Sequence, residues 1–270
     1  MEKDLREKTR NMLPNHAPFG KADGIMVIVC FLWALGTVIG KALLGDTPET
    51  FRPSTFNELR FLIATPALFL MLRLSGSSLG IRREHFPGML FVSFCGMFLF
   101  MALFIFGLSM TTAANTGIIL GAAPLMIVVI SVARGVESLS FRLTAGIVLG
   151  IAGVLLMNWR GGSLSFNPGD LLILAACFCW GIYAVWGDKY LKIYPPLLAT
   201  AWIFLFLSIY YIPLFLYEFP RMSWRAVPPE NWAYLIFSAI GPLLAANTLY
   251  YTAIKYIGPA RSGVYINLEP

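Results

Sequence analysis

The chain has 270 residues, 58% hydrophobic and 13% charged, with 20 Lys+Arg against 14 Asp+Glu and a net charge of +6. Soluble domains carry about 25% charged residues, and a mean hydropathy of +0.72 leaves too little polar surface to face water on every side. This composition excludes an ordinary soluble enzyme, and it excludes disorder, which requires low hydrophobicity. The basic residues are scattered through short links, so the positive-inside bias of a multispanning chain explains the charge better than nucleic-acid binding does.

The first 21 residues are polar and include five Lys/Arg. An apolar run begins near Gly24. It is about 20 residues long, enough to cross the ~30 Å hydrocarbon core. It is too long for a signal-peptide core and has a counterpart later in the chain, so it is read as a retained first helix. Apolar runs follow at about 56–74, 87–109, 113–132, 142–159, 170–188, 197–217 and 232–256, after the first at 24–44. A ninth starts near residue 259 and is cut by Pro270. None alternates with period two, so the bilayer's demand for internally paired backbone leaves α-helices. The links are short and marked by turn residues such as Gly161-Gly162 and Asn167-Pro168-Gly169.

With the N-terminus inside, the inner segments hold 14 Lys/Arg and the outer loops four, which predicts a cytoplasmic N-terminus. Lys41 and Arg60 fall near the outer ends of their runs and are expected to snorkel to the interface. The cysteines Cys30, Cys95, Cys177 and Cys179 lie in apolar runs without metal-ligand spacing, so buried inert thiols are expected. No metal and no cofactor are expected.

The sequence nearly repeats at an offset of 147, then 146. Cys30-Phe31-Leu32-Trp33 returns as Cys177-Phe178-Cys179-Trp180, Gly40 as Gly187, Pro48 as Pro195 and Pro66 as Pro213. Gly117 then returns as Gly263, and Pro124 as Pro270. A constant register over this length indicates duplication. Five helices per unit is an odd number, so the second unit enters the membrane from the opposite face: an inverted repeat, as in alternating-access transporters. The expected fold is an all-α polytopic membrane protein. Residues 1–22 form a cytoplasmic tail, 23–160 a first five-helix unit, and 169–270 a second unit truncated within its fourth helix. Completing the second unit would require at least about 306 residues by the length of the first.

Several stretches resemble the EamA family of the drug/metabolite transporter superfamily. They are Glu58-Leu59-Arg60-Phe61, Ala145 to Met157, Gly169-Asp170 leading to Trp180, and Tyr251 to Pro270. One departure is Gly135-Val136-Glu137, where the family usually carries Gly-Glu. The resemblance implies ten helices in two five-helix halves and export of amino acids, other metabolites or drugs across the cell membrane.

Glu269 is the sharpest candidate residue. A ninth helix starting near Gly258 would carry it about 16 Å inward, near the midplane. An ionisable group there suggests proton coupling or binding of a substrate amine, although Pro270 would also free a backbone carbonyl for it to bond. Trp33 and Trp180 occupy matching places in the two units. Thr37 and Gly40 share a face with Trp33, as Tyr183 and Gly187 do with Trp180. Asn115, Asn247, Tyr251, Tyr265 and Asn267 are polar groups within apolar runs, suited either to lining a pathway or to joining helices. Gly36/Gly40, Gly117/Gly121 and Gly146/Gly150 have the spacing of close helix packing. Pro66, Pro124, Pro213 and Pro242 fall within the runs and could be hinges or static bends.

The leading expectation is a secondary transporter. Its partners are a small-molecule substrate, the lipid bilayer and, as candidate coupling ion, a proton. No P-loop is present. The alternatives are an intramembrane enzyme, although HExxH and GxSxG are absent, and a non-transporting scaffold or receptor.

Overall fold

The computed structural model describes residues 20–135, 159–160, 163–164 and 167–268. Within these, seven helices are long and apolar enough to cross a membrane: α1 (Lys21–Leu43), α2 (Pro53–Leu74), α3 (Arg83–Met110), α4 (Ala113–Ala133), α5 (Pro168–Leu191), α6 (Pro196–Arg221) and α7 (Pro229–Gly258). Each matches one expected run to within a few residues. The expected run at 142–159 lies almost wholly outside the described residues, as does its Gly146/Gly150 pair. Trp159–Arg160 and Ser163–Leu164 form a two-residue antiparallel hairpin, β1 and β2, that the hydropathy pattern does not signal.

The helix boundaries follow local chemistry. Pro53, Pro168, Pro196 and Pro229 occupy first-turn positions, where the missing N–H costs nothing. Asn167 and Asp170 form a reciprocal capping box at the start of α5. Gly258 takes φ 78°, ψ 165°, a conformation open to glycine alone, and ends α7. The chain then resumes as a short helix α8 over residues 259–265, where a ninth run was expected. Pro124 lies at the start of the second half of α4, which breaks at Gly121–Ala122. Pro66 and Pro213 sit inside α2 and α6.

Among the described residues, two helices carry a π-helical stretch: Val92–Phe98 in α3 and Ala239–Ala245 in α7, the latter containing Pro242. The two stretches stand 147 residues apart, the offset of the sequence repeat. That shift carries α1 onto α5, α2 onto α6 and α3 onto α7. The main packing partners transform in the same way. α1 packs on α7 and α5 on α3, while α2 packs on α6, a pair that maps onto itself.

Several of these contacts use glycine. A Cβ on Gly36 would lie 2.6 Å from Pro242 Cβ, and one on Gly96 would lie 2.9 Å from the backbone of Tyr183, which stands 147 residues after Gly36. Cys30 Sγ–H donates to Tyr265 O at 3.0 Å, and Cys177 Sγ–H donates to Ile119 O at 3.5 Å, so the repeated cysteines make equivalent contacts. None of the four cysteines forms a disulfide; Cys95 is only partly buried. Large apolar side chains such as Phe31, Leu62, Leu70, Phe178 and Leu216 are exposed around the perimeter, as lipid contact requires.

Gly96→Ala should destabilise the protein by about 1–3 kcal/mol, because the obstruction is backbone and cannot turn aside. Gly24→Ala, with nothing within 4 Å of its Cβ, should be neutral or slightly stabilising. Thermal unfolding in detergent separates the two.

Candidate functional site: a cavity between the helices

Helices from both ends of the chain enclose a cavity of about 70 Å³. α1 contributes Trp33, Gly36, Thr37 and Gly40, spaced along one helical face as expected. α2 contributes Phe56 and Arg60, α3 the stretch from Phe100 to Leu108, and α4 Leu120 and Ala123. Trp180 of α5, Pro242, Leu243 and Asn247 of α7, and Ile266 complete the wall. The lining runs from the depth of Trp33 toward the end where α1 finishes and α2 begins. At that end a backbone bridge joins Leu44 to Phe51.

Aromatic rings close the other direction. Trp33 and Trp180, the repeated pair, meet edge to face with centroids 5.2 Å apart. Tyr250 packs on both, at 5.0 and 5.1 Å. Behind them Tyr183 and Tyr251 stack at 4.9 Å, both fully buried. The tyrosine rings therefore form a layer beneath the cavity rather than its lining.

The polar groups divide into three sets. The first is in the cavity wall. Asn247 is 1% exposed; its Nδ2 donates to Leu243 O, and its Oδ1 has no partner. Arg60 is 8% exposed. Its Nη1 donates to Asn57 Oδ1 at 3.3 Å and its Nη2 to Ser238 O at 3.2 Å. Its guanidinium carbon lies 5.0 Å from the Phe56 ring centroid, and its Nε has no partner. The expectation that Arg60 snorkels to the interface is thus corrected. α2 starts at Pro53, so Arg60 lies about 10 Å along the helix and turns toward α7. Lys41 lies in the last turn of α1, and its Nζ donates to the carbonyls of Leu108 and Ser109, satisfying the open C-terminal end of α3.

The second set joins α2 to α6. Asn57 Nδ2 donates to Tyr211 Oη at 3.0 Å, and Ser208 Oγ donates to Glu58 Oε1 at 2.7 Å. Thr55 donates through N and Oγ1 to Glu218 Oε2. All of these side chains are buried.

The third set lies at the opposite end of α1. Asp23, 2% exposed, accepts from Arg261 Nη2 at 2.9 and 3.1 Å and from Tyr265 Oη at 2.6 Å. These contacts tie α1 to α8.

Among the expected pathway residues, Trp33, Thr37, Trp180 and Asn247 are brought together in the cavity wall, with Tyr183 and Tyr251 directly behind. Asn115 and Tyr265 are not in the wall. Asn115 is the third residue of α4, where its backbone N–H is capped by Thr112 Oγ1. Tyr265 turns to Asp23 instead. The side chain of Asn267 and the whole of Glu269 lie outside the described residues. The sequence reading missed Phe56, Phe100 and Phe104, which a phenylalanine-rich chain does not distinguish from lipid-facing rings. It also misplaced Arg60, although a charge in an apolar run is itself a signal of an interior role.

The model of the EamA-like transporter family matches residues 20–159 and 167–270. The chain belongs to this family. Its relatives include the uncharacterized transporter YyaM of Bacillus subtilis (strain 168), 26% identical over 226 residues, covering 82% of this chain and 74% of that protein. An uncharacterized transporter of Archaeoglobus fulgidus is 26% identical over 258 residues, covering 93% and 86%. A solved crystal structure, 20% identical, shares the fold with a TM-score of 0.64 over 92% of this chain and 85% of that one. The cavity described above is accordingly a feature of a multi-pass EamA-family membrane protein.

Asp23→Ala should release α8. Amide hydrogen exchange across residues 259–265 should rise markedly, while exchange in α2 stays unchanged.

Proposed function

We propose that this EamA-family chain is a secondary transporter that carries a small molecule across the cell membrane by alternating access through the Trp33–Trp180 cavity. The observation that carries this reading is the cavity's composition. It is a space walled by helices from both sequence repeats, mostly apolar and aromatic, with a few convergent polar groups. Two five-helix units of opposite orientation, with the N-terminus in the cytoplasm, account for the paired π-helical stretches, the exchanged packing partners and the equivalent cysteine contacts.

In this reading the described conformation is closed on the cytoplasmic side. The tyrosine layer and the Asp23–Arg261–Tyr265 cluster hold that end together, while the cavity lining extends toward the outer ends of α1 and α2. Transport requires the two ends to exchange roles. The π-helical stretches are suitable flexing points, because a widened turn can shift register at low cost. Export is the direction that the family resemblance supplies. Energy would come from a gradient, and Glu269 is the residue proposed to exchange the coupling proton.

The test is uptake and counterflow of labelled amino acids, aromatic ones included, by the full-length protein in proteoliposomes, with and without a proton gradient. Saturable movement that responds to the gradient is expected, and Glu269→Gln should abolish the response. Movement of no tested compound would remove the support for transport of these metabolites. Movement indifferent to pH would return Glu269 to a structural role.

A further inference from the structure

We propose that Arg60 is the anion-binding group of the cavity, and that the cavity therefore selects small molecules bearing one carboxylate. This inference rests on the transporter reading above and adds the charge of its substrate.

A guanidinium buried within a membrane-spanning helix is costly unless it is paired. Among the described residues, no carboxylate oxygen lies within salt-bridge distance of Arg60. Its hydrogen-bond partners are a neutral amide oxygen and a backbone carbonyl, both longer than 3.1 Å. These partners fix the fork in place without neutralising it. Apart from the face of the Phe56 ring, no countercharge among the described residues meets it, and it stands beside a cavity whose other walls are almost wholly apolar. Glu58, two residues away in sequence, is instead engaged by Ser208 on the α6 side.

A planar fork held rigid in a water-poor space is suited to a carboxylate, which accepts two parallel N–H bonds. Asn247 Oδ1, also unpartnered in the wall, is an acceptor and suits a hydroxyl or ammonium on the same molecule. The cavity's 70 Å³ fits a short acid. A larger body needs its walls to part.

Lactate, lactamide and 1-amino-2-propanol test this directly, being close in shape but anionic, neutral and cationic. Each is added at millimolar concentration to the full-length protein in nanodiscs, and the thermal midpoint is read. Lactate is expected to raise the midpoint, and the amide and amine to leave it unchanged. Inorganic phosphate, whose charge exceeds that of one guanidinium, should have little effect. Arg60→Gln should weaken lactate binding about tenfold or more, with Arg60→Lys retaining part of it. Because the charge is unpaired, Arg60→Gln without ligand should melt at the same temperature as the parent or higher. A guanidinium serving only as structural glue would give the opposite result.

The assignment is overturned by an equal or greater response to the amide, amine or phosphate, or by no response to lactate. It is also overturned if Arg60→Gln destabilises the free protein while lactate binding persists. Proteoliposome transport of a neutral or cationic compound, untouched by Arg60→Gln, would overturn the charge assignment and leave the transporter reading standing.

Discussion

In a bilayer every backbone N–H must find its partner within its own helix, so polar side chains become the only adjustable polar groups, and they must turn inward. The rest of the structure depends on this constraint. α2 shows it most clearly: Thr55, Asn57, Glu58 and Arg60 are all buried. Thr55, Asn57 and Glu58 are used against α6, while Arg60 lines the cavity. The helix is therefore held to the second half of the chain by hydrogen bonds rather than by apolar contact alone. Lipid offers no hydrophobic drive for helix association, so such bonds and close packing must supply it. The cavity wall includes two residues with unpartnered buried polar atoms, Arg60 at Nε and Asn247 at Oδ1.

Close packing supplies the second half of the account. Gly36 against Pro242 and Gly96 against Tyr183 bring backbones together at equivalent points of the two repeats. Each of these two contacts falls on or beside a π-helical stretch, so close approach and irregular helix coincide there. A widened turn places a residue out of the normal register and frees local hydrogen bonds to rearrange. The ionic cluster at Asp23 and the hydrogen-bonded face of α2 lie on opposite sides of these points. The molecule thus has two fastened regions separated by two irregular ones.

Much of this is legible in the sequence, and the limits have physical causes. Span length is set by bilayer thickness, so hydropathy locates all seven described spans. Trp33 and Trp180 are legible because the repeat marks them and helical spacing groups Thr37 and Gly40 with Trp33. The π-helical stretches leave no compositional trace, since a π turn is a matter of hydrogen-bond register. Arg60 was misplaced because hydropathy starts α2 at residue 56, whereas Pro53 can open the helix three residues earlier. Asn115 falls outside the cavity wall for a related reason: Thr112 caps α4, so the asparagine belongs to a helix end. Glycine spacing found Gly36, but Gly96 belongs to no such motif, because its partner is the backbone of another helix.

The central claim is that the two ends of the cavity open in turn. Distances between spin labels in nanodiscs test it most directly, with one pair at Asp46 and Arg225 near the cavity's end of the helices. A second pair, at Ser78 and Lys192, reports on the other end. The account predicts two populations for each pair, with conditions that lengthen one distance shortening the other. A single unchanging distance at both ends, with and without substrate or a proton gradient, would contradict it.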